Sequence, residues 1–186
     1  MQPNITSHEY SALERAYQFF NHRLFQGQLP ACLLTLNNKH PQARGFFRSE
    51  GFEHRHNDRK IDEIALNPET FNRPDLAILS TLVHEQCHVW QFHFGQPSRS
   101  GYHNREWANI MQQRGLMPSD TGLPGGKRTG QRVTHYILAG GMFEAAAQEL
   151  LANSIRSKRE PSTRAVVVDS APGPGPTRNS FAGIAH

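Results

Sequence analysis

A chain of 186 residues, 37% apolar, suits one packed domain with a tail, and its two lone cysteines exclude a disulfide framework and fit a reducing compartment. The formal charge of +4 is unevenly spread: residues 1–153 hold 15 Lys/Arg against 14 Asp/Glu, whereas residues 154–186 hold 5 against 2. Basicity therefore belongs mostly to the C-terminal stretch and does not mark the folded part as a nucleic-acid binder.

The first predicted element is a helix. Thr6-x-x-Glu9 reads as a capping box, and Tyr10, Leu13, Tyr17, Phe20 and Leu24 recur at helical spacing as one apolar stripe. Gly27 stops this helix and Pro30 prevents its resumption. Strands are expected over Cys32–Leu36, Ala43–Arg48 and Ile61–Leu66, with a polar turn over Gly51–Lys60 whose His54 and His56 read as solvated. Arg44, Arg48, Arg55, Arg59 and Lys60 read as the charges of a solvated hairpin.

A second helix follows, opened near Asn72 and Pro74 and closed at Gly95. A loop over Gln96–Gly101 returns the chain to a third helix, with Trp107, Ile110, Met111 and Leu116 on its apolar face and Gly115 as its C-cap. The stretch Thr121–Gly130 resembles a phosphate loop only superficially. Thr121 and Arg128 stand where that pattern needs Gly and Ser/Thr, so a glycine-rich turn is the reading. Arg132–Leu138 reads as a strand and Met142–Asn153 as a helix. The remainder is Ser/Pro/Gly-rich, with Pro172-Gly-Pro-Gly-Pro176 and an apolar Val166-Val167-Val168, and reads as a disordered basic tail over 154–186. No apolar run reaches the length of a membrane span and no leader follows Met1, so a cytoplasmic protein without membrane contact is expected.

The chemistry concentrates in His84-Glu85-Gln86-Cys87-His88, inside the apolar second helix. Residues four apart on a helix share a face, so His84 and His88 can offer two imidazole nitrogens to one zinc ion. Glu85 stands beside them, placed to take a proton from water. Two histidines and a glutamate in so apolar an element are costly to bury unless paired or metal-bound. Cys87, in the same helix, reads as a small packed residue.

A catalytic zinc site takes three protein ligands and leaves one position open. Gln91 and Phe94 occupy the positions where a metzincin carries Gly and His, which removes that route to a third ligand. Downstream, His103 and Glu106 are the candidates, three apart and so on one helix face. His103 is the preferred ligand. Glu106 then falls to orienting a ligand imidazole through its other nitrogen. His135 leads the candidates to steady the oxyanion of a scissile carbonyl, followed by Tyr136 and Tyr102.

The run His84-Glu85-x-x-His88 followed by His103-Asn-Arg-Glu106-Trp107 resembles the SprT-like (SprT/Spartan-type) family of zinc metallopeptidases. Leu24-Phe25-Gln26-Gly27-Gln28-Leu29-Pro30 is similar to its LF-x-G-x-LP segment. Ala43–Phe47 and Ile64–Asn67 resemble its short strands before the active-site helix. The likeness covers about residues 10–118. It implies an α+β, zincin-like domain over 1–153, a small antiparallel or mixed sheet beside the HExxH helix, and Zn2+ on His84, His88 and His103. It also implies a protein or peptide substrate, with proteins attached to DNA as one class and DNA as a candidate partner. The chain departs from many members in one respect: Cys32 and Cys87 form no CxxC pair, so no C-terminal zinc ribbon is expected in it. Two rival readings remain, a zinc-stabilised binding module without turnover and a DNA-associated accessory protein working through the basic tail. Nothing in the sequence specifies an oligomeric state.

Overall fold

The computed structural model describes residues 4–53, 60–99 and 101–159. Four helices surround two small sheets, a mixed α+β architecture. Helix α1 (Ile5–Phe25) buries Tyr17, Phe20 and Leu24 in the core, as the apolar stripe requires, while Tyr10 at its start stays exposed. The expected capping box at Thr6 is not used. The helix begins two residues earlier, because the Asn4 side chain accepts from the Ser7 backbone N–H and Asn is the stronger N-cap. At the far end Gln26 adopts a left-handed cap. Asn21 then clamps the outgoing chain, donating to Leu29 O and accepting from Leu29 N, each at 3.0 Å.

Strands β1 (Leu33–Leu36), β2 (Gly45–Glu53) and β3 (Lys60–Leu66) form one sheet in the order β1–β3–β2, with β1 parallel and β2 antiparallel to β3. The central strand β3 is covered on both faces, and its two acidic residues are buried with partners. Asp62 accepts from the Glu50 N–H and meets His93 Nε2 at 2.6 Å; Glu63 accepts from Thr35 Oγ1 and pairs with Arg48. Strand β2 runs five residues beyond the expected Arg48, since pairing to β3 resumes at Phe52 after an irregularity that begins at Arg48. His54, His56, Arg55 and Arg59 lie outside the described residues.

A 3-10 turn at Pro68–Thr70 leads into helix α2 (Asp75–Phe94). This helix packs on β2 and β3 on one side and on α1 and two later helices, α3 (Arg105–Gln113) and α4 (Met142–Arg159), on the others. It is wrapped by protein, which explains why its sequence is apolar nearly all round. Buried Gln86 donates to Tyr17 O at 3.0 Å and ties α2 to α1.

Helix α3 is shorter than expected. Gly115, at φ 88°, turns the chain out of the helix, and a Cβ there would meet Phe143 N at 2.8 Å. Leu116 therefore belongs to strand β4 (Leu116–Ser119), still fully buried but paired with Ile137 of β5 (Thr134–Ile137). Helix α4 runs through Arg159, the last described residue, past the expected end at Asn153, and no Gly or Pro interrupts the sequence over that span. Residues 160–186, including Val166–Val168 and the Pro/Gly run, lie outside the described residues. No described helix is long and apolar enough to cross a membrane.

Candidate metal centre

Helix α2 carries His84 and Glu85 at its middle and His88 one turn further on, and the loop before α3 brings His103 to them. That loop is held by an antiparallel bridge to the glycine-rich segment: His103 N donates to Gly130 O at 2.8 Å, and Gly130 N donates to His103 O at 3.0 Å. Among the described residues, His84, His88 and His103 are the one set of three whose ligating atoms all lie within 4.8 Å of one another. A tetrahedral ion with metal–nitrogen bonds of about 2 Å requires nitrogens about 3.3 Å apart, within that limit.

The protonation chemistry also fits a cation. His103 Nδ1 lies 3.1 Å from Gly130 O. A carbonyl only accepts, so Nδ1 carries the proton and Nε2 keeps its lone pair for a metal. Burial pushes all three imidazoles below their ordinary range: His84 far below it, with His135 and the other two histidines adding to the effect, His88 to about 3, and His103 less. Neutral imidazoles are the ligating form. Beneath them lies Trp107, fully buried, its ring centroid 4.9 Å from His84, 5.0 Å from His88 and 4.3 Å from His103. One indole thus packs against all three rings and limits their rotation.

Glu85 is buried, and no hydrogen bond among the described residues uses its carboxylate. Desolvation alone raises its pKa to about 8. Its Oε1 lies against the first residue of β2: a Cβ on Gly45 would approach it to 3.2 Å. A largely buried carboxyl without a hydrogen-bond partner, next to three converging imidazoles, is costly to stability and is the kind of group found at functional sites.

Residues 13–128 match the SprT-like family, well over half of the chain. The chain belongs to the SprT-like family. Among the curated proteins, it is 39% identical over 59 residues to "Uncharacterized protein in mucB 3'region" of Salmonella typhimurium, covering 32% of this chain and 78% of that protein. No solved structure matches.

The SprT-like match takes in the HExxH helix, His103 and Glu106, but ends before β5. Around the three histidines the remaining expected site residues fall differently. No hydrogen bond among the described residues joins Glu106 to an imidazole. Its Oε2 accepts from Gln91 Nε2 and from Gln96 N, each at 2.8 Å, and so fastens the end of α2 to the loop that precedes His103. The reason is the Asn104 cap of α3, which starts the helix with Glu106 turned back toward Gln96. The second bond of the His103 ring goes instead to the Gly130 carbonyl. His135 stands beside the cluster with both nitrogens engaged, Nδ1 with His84 Nδ1 at 3.1 Å and Nε2 with Ser80 Oγ at 2.9 Å. Burial lowers its pKa to about 4, and the charges of Arg44 and Arg73 add to this. Tyr136 follows it on β5 and faces the opposite side of the strand. With both ring nitrogens engaged, His135 has no free donor for an oxyanion at the three-histidine cluster. Ser80 and the Gly130 carbonyl were not identified from sequence. Ser80 did leave a signal, since it lies four residues before His84 on the same helix face.

Proposed function

We propose that this SprT-like chain is a zinc-dependent endopeptidase, with His84, His88 and His103 holding the ion and Glu85 as its general base. The observation that carries the reading is the conjunction of three neutral imidazoles within reach of one ion and a buried, unpaired carboxyl beside them. Three nitrogen ligands suit zinc and leave a coordination position free. Bound there, zinc would supply Lewis-acid polarisation of a carbonyl and activation of water. Glu85 accepts the proton of the attacking water and returns it to the leaving amine; a carboxyl whose burial favours its protonated form is suited to both transfers. Trp107 and the Gly130 carbonyl keep the imidazoles in place while this happens.

Strand β2 supports a peptide substrate. It is an edge strand of the sheet, and its Gly45 end lies against Glu85. An extended peptide added to that edge would run past the carboxyl. The family resemblance suggests proteins associated with DNA as a substrate class, and a zincin-like fold and cytoplasmic location belong to the same proposal. A metal-stabilised module without turnover is disfavoured by Glu85, which no zinc ligand set of three histidines needs. Metal content and autocleavage of wild type beside Glu85→Gln test the reading. Both should bind one zinc per chain, and only wild type should cut. Equal cutting by the variant would refute the role of Glu85, and absence of zinc from both would refute the site.

A further inference from the structure

His84 does not stand alone behind the cluster. A line of hydrogen bonds runs from its inner nitrogen through His135 and Ser80 to the backbone of its own helix. Ser80 Oγ donates to Ala77 O at 3.0 Å. That uses the only hydroxyl proton, so toward His135 Nε2, 2.9 Å away, the oxygen acts as acceptor and Nε2 carries the hydrogen. A buried, neutral imidazole has one N–H and one lone pair, which leaves His135 Nδ1 as an acceptor. His84 Nδ1, 3.1 Å from it, must therefore donate. The direction of every bond is set from the carbonyl end, and it leaves the lone pair of His84 on Nε2.

We infer that His135 and Ser80 are positioning residues that fix the tautomer and ring orientation of His84 for metal binding. The inference rests on the reading of His84 as a ligand. The assignment goes beyond the HExxH helix: β5, outside the part of the chain matched to the family, supplies the imidazole, and the β4–β5 pairing of His135 with Pro118 holds it there. The partner of a metal-binding histidine is usually a carboxylate or a backbone carbonyl. His103 follows that habit through Gly130 O. His84 uses a second imidazole, which is neutral and adds no negative charge next to Glu85. The arrangement orients the ligand without an extra anion beside the carboxyl that must accept a proton.

The test uses the full chain loaded with zinc. Long-range proton–nitrogen correlations on 15N-histidine protein distinguish the two neutral tautomers, and His135 is expected as the Nε2–H form with His84 as the Nδ1–H form. Zinc affinity by competition with a chromogenic chelator then separates acceptor from bulk. His135→Leu, which removes the acceptor, should weaken binding about 10–100-fold. His135→Asn, with Oδ1 in the place of Nδ1, should recover most of it, and Ser80→Ala should show an intermediate loss. His135 in the Nδ1–H form overturns the relay, as does wild-type affinity in both His135→Leu and Ser80→Ala. The tautomer measurement on wild type decides the matter if the leucine variant does not fold. A wild-type chain that takes no zinc would overturn the underlying site as well, an outcome distinct from loss of the relay alone.

Discussion

Gly45 offers the sharpest test of how β2 meets the proposed general base. It pairs with Leu66 of β3, and its missing side chain leaves room for three neighbours. A Cβ built there would lie 2.9 Å from Ala65 O, 3.1 Å from Thr81 Cγ2 and 3.2 Å from Glu85 Oε1. Carbon–oxygen contacts normally settle near 3.3–3.6 Å. Ala65 is fully buried in the central strand, so its carbonyl cannot retreat, and the strain must move β2 or the Glu85 carboxyl by a few tenths of an ångström. Overpacking of this kind costs about 1–3 kcal/mol, partly offset by about 0.4–1 kcal/mol from the stiffer unfolded chain. Gly45→Ala should therefore lower the urea-unfolding free energy of the zinc-loaded protein by about 1–2 kcal/mol. Zinc content should stay at the wild-type level, because none of the three histidines is touched. Peptidase activity should fall about tenfold, since small misplacements of a catalytic group are expensive. A variant with stability within 0.5 kcal/mol of wild type and full activity would show that Gly45 does not pack on Glu85.

The metal-free protein should show the burial of Glu85 as a pH effect. Its pKa rises from 4.5 to about 8 on folding, so between those values the native state holds a proton that the unfolded state has lost. Stability from this group is intact below pH 4.5 and falls as pH rises to 8. Glu85→Gln escapes the loss and should be the more stable by about 3–5 kcal/mol at pH 9, with no gain of this kind at pH 4. The depressed pKa values of His88 and His135 act oppositely, favouring the native state above about 6.5, but they are common to both proteins and cancel in the difference. Unfolding of both at pH 4, 7 and 9 measures it, and a difference independent of pH would refute the burial argument. Glu106→Ala should cost about 0.5–1.5 kcal/mol, since exposed Gln96 N can turn to water and buried Gln91 keeps its bond to Asn104, yet change zinc affinity less than about threefold. A tenfold loss of affinity at unchanged stability would mean that this carboxylate orients a ligand after all.

Much of the site was legible because its logic is local. His84 and His88 face one way because a helix repeats every 3.6 residues, and Glu85 lies beside them for the same reason. Four of the five described strands were legible in type, whereas β4 was not, because Leu116 has the spacing of the third helix's apolar face and only Gly115 turns it out into a strand. Strand ends were less legible, since β2 extends as far as β3 offers a partner, which only pairing determines. The helix ends depended on competing caps, and Asn4 prevailed over Thr6 because its side chain reaches the Ser7 N–H.

What the sequence determined by itself, then, was the pair of histidines with its carboxyl, the helix that presents them, and an α+β frame around it. The tertiary structure alone decided how loops and strands distant in sequence close on that helix. It brought His103 in through the Gly130 bridge, sent Glu106 to Gln91 and Gln96, and placed His135 behind His84. The physical reason is directionality: helical period fixes which side chains share a face, whereas the partner of each ring nitrogen or carboxyl oxygen is fixed only when hydrogen-bond donors and acceptors from remote segments arrive within about 3 Å.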